Sequence, residues 1–245
     1  MNQTGKTHVK QGIDAPLVPI LYLITGVGVL INWAMAHAYP TAWVTLIFGI
    51  VMFAGGLTFF HTSLRGKYTI WRGIMDKLTI PKNAQVLDLG CGHGAVMIAF
   101  AKRLGVTGHA TGIDLWQQRD QSNNGVAQTQ ANLVAENVAD RTTVLTGDMT
   151  KLPTNNAAFD FVVSSFAFHN IKPKEHRAVA LSEAVRTLKP GGRLIIVDTE
   201  HNDREYRMAL QDLGLKDIEV KSAGFNGWWS GPWMSSYIVQ GVKAE

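Results

Sequence analysis

The sequence predicts an α/β protein: a doubly wound, mostly parallel sheet preceded by a transmembrane helical hairpin. Three observations carry that expectation. No Asp, Glu, Lys or Arg occurs between Ala15 and Leu64. Beyond Pro81, short apolar runs alternate with helical patterns. The first three of those runs each end on an acidic residue or lead into a glycine bend. At 245 residues with 46% hydrophobic content, the chain is long and apolar enough to bury a core, which excludes a disordered polymer. The single cysteine, Cys91, excludes an internal disulfide and a zinc site built on several thiolates, and no metal site is expected. A net charge of +4 spread over this length is a weak field and gives no reason to expect a nucleic-acid partner.

Leu17–Ala36 and Ala42–Phe60 are the two apolar stretches of the uncharged segment. At about 1.5 Å per helical residue, each reaches the roughly 30 Å of a bilayer's hydrocarbon layer. Pro40 favours a break between them, and Trp33, Tyr39 and Trp43 gather at that turn as aromatics do at a lipid–water boundary. Gly26, Gly28, Gly49, Gly55 and Gly56 let two helices approach closely. Lys6 and Lys10 precede the pair, and Arg65, Lys67 and Arg72 follow it. The positive-inside rule then puts both termini and the following domain in the cytoplasm. The expected division is residues 1–64 for the tail and hairpin, and 65–245 for a soluble domain. Ile70, Trp71, Ile74, Met75 and Leu78 recur on one helical face, a pattern suited to packing on that domain or lying on lipid.

The α/β pattern then runs in order. Strands are expected at Ala84–Leu89, His109–Ile113, Thr143–Leu145, Phe159–Ser164 and Arg193–Val197. Helices are expected at Ala95–Leu104, Gly125–Glu136 and Lys174–Leu188. Ile218–Lys243 reads as a terminal hairpin whose connection holds Trp228, Trp229 and Trp233, a substrate lid or a membrane-facing rim. In such sheets ligands bind beyond the carboxyl ends of the strands.

Asp88-Leu89-Gly90-Cys91-Gly92-His93-Gly94 follows the first strand. Its glycines permit positive φ and leave no Cβ in a ligand's way. Gly90-x-Gly92-x-x-Ala95 also fits a permissive dinucleotide fingerprint, so a nicotinamide or flavin oxidoreductase is the competing class. Asp88 weighs against it, because a carboxylate there repels a pyrophosphate and suits a cationic amino-acid group. Asp114 ends the second strand, where it suits ribose hydroxyls. Gly147-Asp148-Met149 ends the third with an acceptor for an exocyclic amine.

With Phe159–Ser164 and Leu188-Lys189-Pro190-Gly191-Gly192-Arg193, this series resembles the class I S-adenosylmethionine-dependent methyltransferases over roughly residues 70–245. The resemblance implies a Rossmann-like methyltransferase fold of seven strands with the last antiparallel, and S-adenosyl-L-methionine as cofactor. It implies that Gly90, Gly92 and Gly94 line the methionine part and that Asp88 supports its ammonium side. Asp114 would hold the ribose, and Asp148 with the Met149 backbone would address the adenine. Ser165-Phe166-Ala167-Phe168-His169-Asn170 stands where amine-specific members carry Asn/Asp-Pro-Pro-Tyr, which weakens a nucleobase or glutamine-amide target.

Methyl transfer needs alignment and dry surroundings, and a base only when the acceptor arrives protonated. His169 is the candidate base, its other reading being a structural cap formed with Asn170. His93 reads as a loop residue beside the cofactor and Cys91 as small loop filler. Glu200 and His201 either line the acceptor pocket or lead into the next helix. The expected activity is methylation of a small hydrophobic or lipid-like acceptor at the cytoplasmic face of a bilayer. The alternatives are a membrane protein, a soluble thiol or amine, a regulatory module without catalysis, and the oxidoreductase.

Overall fold

The computed structural model describes residues 12–117 and 124–245; Lys6 and Lys10 lie outside the described residues. Two 20-residue helices open the chain, α1 (Leu17–Ala36) and α2 (Ala42–His61). They pack as an antiparallel hairpin with little else around them, so Leu17, Leu21, Ile24, Ile31, Ile47 and Ile50 stand exposed. Both are long and apolar enough to cross a membrane. Glycine sets their approach: a Cβ on Gly26 would lie 2.6 Å from the Phe53 backbone nitrogen, and one on Gly56 2.7 Å from Leu23. Thr45 and Thr58 donate their hydroxyls to carbonyls three residues back, which satisfies those two donors within the apolar helix.

There is no linker after the hairpin. One π-helical turn (Thr62–Gly66) carries α2 directly into α3 (Lys67–Met75), so position 64 lies inside a continuous rod. The amphipathic face of α3 turns inward: Ile70, Trp71 and Met75 are buried with Val86, Val96 and Phe100. Packing on the domain, rather than lying flat on lipid, is what those apolar positions do.

The sheet is built from β1 (Gln85–Leu89), β2 (His109–Asp114), β3 (Thr142–Thr146), β4 (Phe159–Ser165), β5 (Leu188–Asp198), β6 (Leu215–Ser222) and β7 (Tyr237–Lys243). Its order is β3-β2-β1-β4-β5-β7-β6. β1 to β5 pair in parallel, and β7 runs antiparallel between β5 and β6. The seven strands with an inserted antiparallel seventh match the sequence expectation.

Helices α4 (Ala95–Ala101), α5 (Val126–Ala135), α6 (Glu175–Thr187) and α7 (Asp203–Asp212) connect them. One core lies under α6 and α7 around Leu181, Leu194 and Tyr206; the other lies under α3 and α4 around Met97, Phe100 and Ile195. Burial on both faces explains why β1, β4 and β5 are rich in consecutive apolar residues rather than alternating. β5 begins five residues earlier than its apolar run, because Leu188 pairs with Phe159 before a register shift at the Pro190–Gly191 bend. Strand order reverses beside β1, which opens a crevice between the carboxyl ends of β1 and β4.

Candidate active site

That crevice is a cavity of about 630 Å³. Its floor comes from the glycine bend after β1, the tips of β2 and β3, and the turn after β4. One wall comes from α3 through Lys67, Tyr68, Trp71, Arg72 and Met75. Among the cofactor residues expected from sequence, Asp88, Gly90, Gly92, Asp114, Asp148 and Met149 all line it. Gly94 sits just behind as the left-handed cap of α4, with φ +83°.

The glycines have separate reasons. Gly90 has φ +70°, and a Cβ there would meet the Ala167 Cβ at 2.2 Å. The β1 bend and the turn after β4 therefore touch through bare backbone. α5 braces the bend from the other side: Thr129 Oγ1 donates to the Gly92 carbonyl at 2.7 Å, and Asn132 Nδ2 to the His93 carbonyl at 3.1 Å. Cys91 fills a small space, its sulfur 2.7 Å from where a Gly112 Cβ would stand. Burial and the nearby Asp88 and Asp114 push its thiol well above the ordinary range, so it stays protonated.

Asp88 is 1% exposed and receives a hydrogen bond from Met97 N–H at 2.9 Å on Oδ2, while Oδ1 has no donor. Burial pushes its pKa up to about 7; the Met97 bond opposes this and the Asp114 charge adds to it. A buried acceptor lacking a partner is costly and calls for a donor from outside the chain, preferably a cation. Asp114 accepts from Gly92 N–H on Oδ2 (2.8 Å) and from Trp116 N–H and Asn124 Nδ2 on Oδ1 (2.6 and 3.3 Å), which fixes its carboxylate at the strand tip. Asp148 closes a turn by accepting from Thr150 N–H and hydroxyl, both at 2.8 Å on Oδ1. The side-chain-free bend, the donor-seeking carboxylate and the fixed carboxylate at the next strand tip fit S-adenosylmethionine's ammonium and ribose in kind.

His169 is placed differently. It is absent from the cavity lining, although Asn170 and Ile171 are present. Its Nδ1 lies 2.5 Å from Asp198 Oδ1, and its backbone N–H donates to Asp198 Oδ2 at 3.0 Å. Asp198 is fully buried and also accepts from Tyr206 OH at 2.8 Å. Glu200 and His201 lie outside the lining too, in a positive-φ turn before α7, with His201 Nε2 3.0 Å from the Trp233 carbonyl.

Sequence reasoning missed several residues. Asp14, just before α1, accepts from Lys67 Nζ (2.8 Å) and Ser63 Oγ (2.9 Å), tying the segment ahead of the hairpin to the cavity wall. Gly12 N–H donates to His93 Nδ1 at 2.7 Å, so that segment also touches the glycine bend. Trp71 Nε1 donates to Ser165 Oγ at 2.9 Å, locking α3 over the tip of β4. Burial, reinforced by the Asp14 charge, pushes the Tyr68 phenol far above its usual range, so it is a donor at neutral pH. The isolated acid at the edge of an uncharged run was the only sequence signal for the Asp14–Lys67 pair.

A sheet of this order, with a glycine bend and acids at successive strand tips, defines the class I methyltransferase fold. Residues 86–192 match the model of a methyltransferase domain. The chain is 35% identical over 140 residues to a demethylmenaquinone methyltransferase of Lactiplantibacillus plantarum, an alignment covering 57% of this chain and 55% of that one. It is 33% identical over 150 residues to a ubiquinone/menaquinone biosynthesis C-methyltransferase of Ruegeria sp., covering 60% and 56%. The chain thus spans little more than half the length of these curated relatives. Among solved structures, a geranyl diphosphate C-methyltransferase of Streptomyces coelicolor shares the fold with TM-score 0.59 at 14% identity, over 72% of this chain and 76% of that one. A [4+2]-cyclase shares it as well, with TM-score 0.58 at 15% identity over 72% and 81%, so the fold alone does not fix the reaction. Residues 86–192 thus match a methyltransferase domain, set in a sheet of the Rossmann-like class I methyltransferase fold.

Proposed function

We propose that this protein transfers a methyl group from S-adenosylmethionine to a quinone-like lipid acceptor, held at the cytoplasmic face of a membrane by its N-terminal hairpin. One observation carries the acceptor class. The cavity wall opposite the cofactor residues is α3, the uninterrupted continuation of a helix long and apolar enough to cross a membrane. An acceptor dissolved in lipid reaches the site along that rod without crossing water. The relatives named for demethylmenaquinone and ubiquinone/menaquinone methylation support the same class. The positive-inside rule, applied to Arg65, Lys67 and Arg72, supports the cytoplasmic side.

In this reading the ammonium of the cofactor sits against Asp88, the bare backbone of Gly90, Gly92 and Gly94 passes its methionine part, Asp114 holds the ribose, and Asp148 with Met149 faces the adenine. When bound, the cofactor supplies a methyl carbon already activated by sulfonium. Trp71 and Phe166 dry the acceptor side, and Tyr68 donates a hydrogen bond to an acceptor oxygen. His169 takes the positioning role: clamped by Asp198, it fixes the turn whose Ala167, Asn170 and Ile171 face the cavity.

The test incubates full-length protein in lipid nanodiscs with methyl-labelled S-adenosylmethionine and three acceptors: a prenylated demethylnaphthoquinol, its tailless headgroup, and a soluble thiol. Label in the prenylated quinol, at a rate at least tenfold above the tailless compound, is expected. Label confined to the thiol or to membrane proteins would refute the assignment.

A further inference from the structure

The connection between β6 and β7 does not behave as a lid. None of residues 224–235 lines the cavity. The loop instead climbs the side of α2. Trp229 packs edge-on against Phe59, with ring centroids 4.9 Å apart. A Cβ on Gly55 would lie 3.1 Å from the Ser230 carbonyl. Phe225 stacks on His61 at 5.0 Å, and Thr62 Oγ1 donates to the Trp228 carbonyl at 2.6 Å. Gly55 precedes Arg65, the first cation after the apolar run, by ten residues, about 15 Å of helix at 1.5 Å per residue. The loop therefore reaches alongside the last third of the apolar helix and not merely its polar end.

What the loop shows to the outside is apolar. Phe225, Trp233 and Met234 are 53%, 55% and 38% exposed, and no charged residue occurs between Lys221 and Lys243. Leu17 and Leu64 stand exposed at the same end of the hairpin. Several of its polar groups are satisfied within the loop. Trp229 Nε1 donates to Ser236 Oγ (3.0 Å), Trp233 Nε1 to Ser230 Oγ (3.2 Å), and Trp229 N–H to the Met234 carbonyl (3.0 Å). Water would require none of this, whereas a lipid environment requires all of it. Tryptophan at this depth suits the boundary between headgroups and acyl chains.

We infer that the β6–β7 loop is a third membrane element, inserting Phe225, Trp233 and Met234 into the lipid interface beside α2 and seating the catalytic domain against the bilayer. This rests on the hairpin spanning the membrane. It adds a fixed height and tilt, because Trp229 bridges Phe59 of α2 to Phe166 of the cavity wall, with ring centroids 4.9 and 5.0 Å apart.

The test uses full-length protein carrying Trp233→Cys, labelled with an environment-sensitive fluorophore and reconstituted in phosphatidylcholine vesicles. Cys91 is buried, and the labelled parent protein measures its background. Ile47→Cys, exposed within the apolar stretch of α2, and Val106→Cys, 96% exposed on the domain, are the references, and S-adenosylhomocysteine binding verifies folding of each. The label at 233 is expected to be quenched by lipids bearing a nitroxide near the headgroup and to resist iodide at least fivefold better than the label at 106. Quenching at 47 with a 233 label as open to iodide as 106 overturns the inference and leaves the anchor standing. A 233 label shielded from both quenchers marks a protein contact and overturns it too. If 47 also escapes lipid quenching, the spanning hairpin fails and the inference falls with it.

Discussion

Cofactor affinity should depend on pH through Asp88. This carboxyl is fully buried, has an acceptor oxygen without a donor, and titrates at about 7 in the free protein. A cationic ammonium binds the ionised form far better than the neutral one, so binding carries the cost of ionising Asp88 at any pH below that value. With a pKa of about 7, about 9% of the group is ionised at pH 6 and about 76% at pH 7.5, which makes affinity about eightfold weaker at the lower pH. The sign follows from the direction of the shift: a raised carboxyl holds its proton in the free state, and the ligand must expel it, so affinity rises with pH through 7. Above about pH 7.7 the ligand's own amine begins to lose its charge, which caps the rise. Calorimetry with S-adenosylhomocysteine in buffers of differing ionisation enthalpy measures both the affinity and about 0.9 proton released per binding event at pH 6. Asp88→Asn should lose roughly 10- to 100-fold in affinity at pH 7.5, the scale of one charge-assisted hydrogen bond. It should also lose the pH slope. An affinity in the parent protein that is flat from pH 6 to 7.5, or a slope that survives in the Asn variant, would refute the assignment of Asp88 to the ammonium.

Gly90→Ala forces a side chain into positive φ and onto Ala167, so a loss of roughly 2–4 kcal/mol is expected, about 5–15 °C in Tm by calorimetry, along with cofactor binding. Gly66→Ala puts a Cβ 2.0 Å from the Asn226 carbonyl and must displace the β6–β7 loop; transfer to a lipid acceptor should fall at least tenfold while S-adenosylhomocysteine affinity stays within about twofold. If His169 positions the turn after β4, His169→Asn should keep kcat within about fivefold, and Asp198→Asn should cost roughly 1.5–3 kcal/mol of stability without shifting the pH profile of kcat. A kcat loss beyond 100-fold in His169→Asn at unchanged Tm would restore it as the base. Deleting residues 1–64 removes Phe59, His61 and Thr62 from the tryptophan loop, so the remainder should show a lower Tm and a red-shifted tryptophan emission relative to the full chain.

The sheet was legible because each of its determinants is local. Runs such as residues 161–163 and 194–197 are apolar at every position since both faces are covered, and no distant contact is needed to read them. The strand-tip acids and the glycine bend were legible for the same reason, being fixed by position after a strand. What escaped was whatever depends on where separate segments meet. Asp14 and Lys67 are 53 residues apart, Trp71 and Ser165 are 94, and Phe59 and Trp229 meet only in the folded chain. His169 shows the converse case. Its place five residues past Ser164 suggests a side chain in the crevice, yet the 3₁₀ turn at Phe168–Asn170 sends Phe168 into the core and hands the imidazole to Asp198.

The seam between hairpin and domain follows from the same reasoning. Charge density changes abruptly at residue 65, and a solvent boundary is what charge density reports. It does not report a mechanical boundary, and the backbone has none there: helical hydrogen bonding continues from Ala42 to Met75 through one widened turn. Residues 42–75 contain no proline, and the π-helical turn at Thr62–Gly66 is the place where this helix can bend. If α2 spans a bilayer as proposed, the part of its tilt that this turn transmits moves α3, and with it Trp71 and Tyr68 on the cavity wall. On that proposal, bilayer thickness and lipid packing, which set the tilt of a spanning helix, bear on the shape of the side assigned to the acceptor.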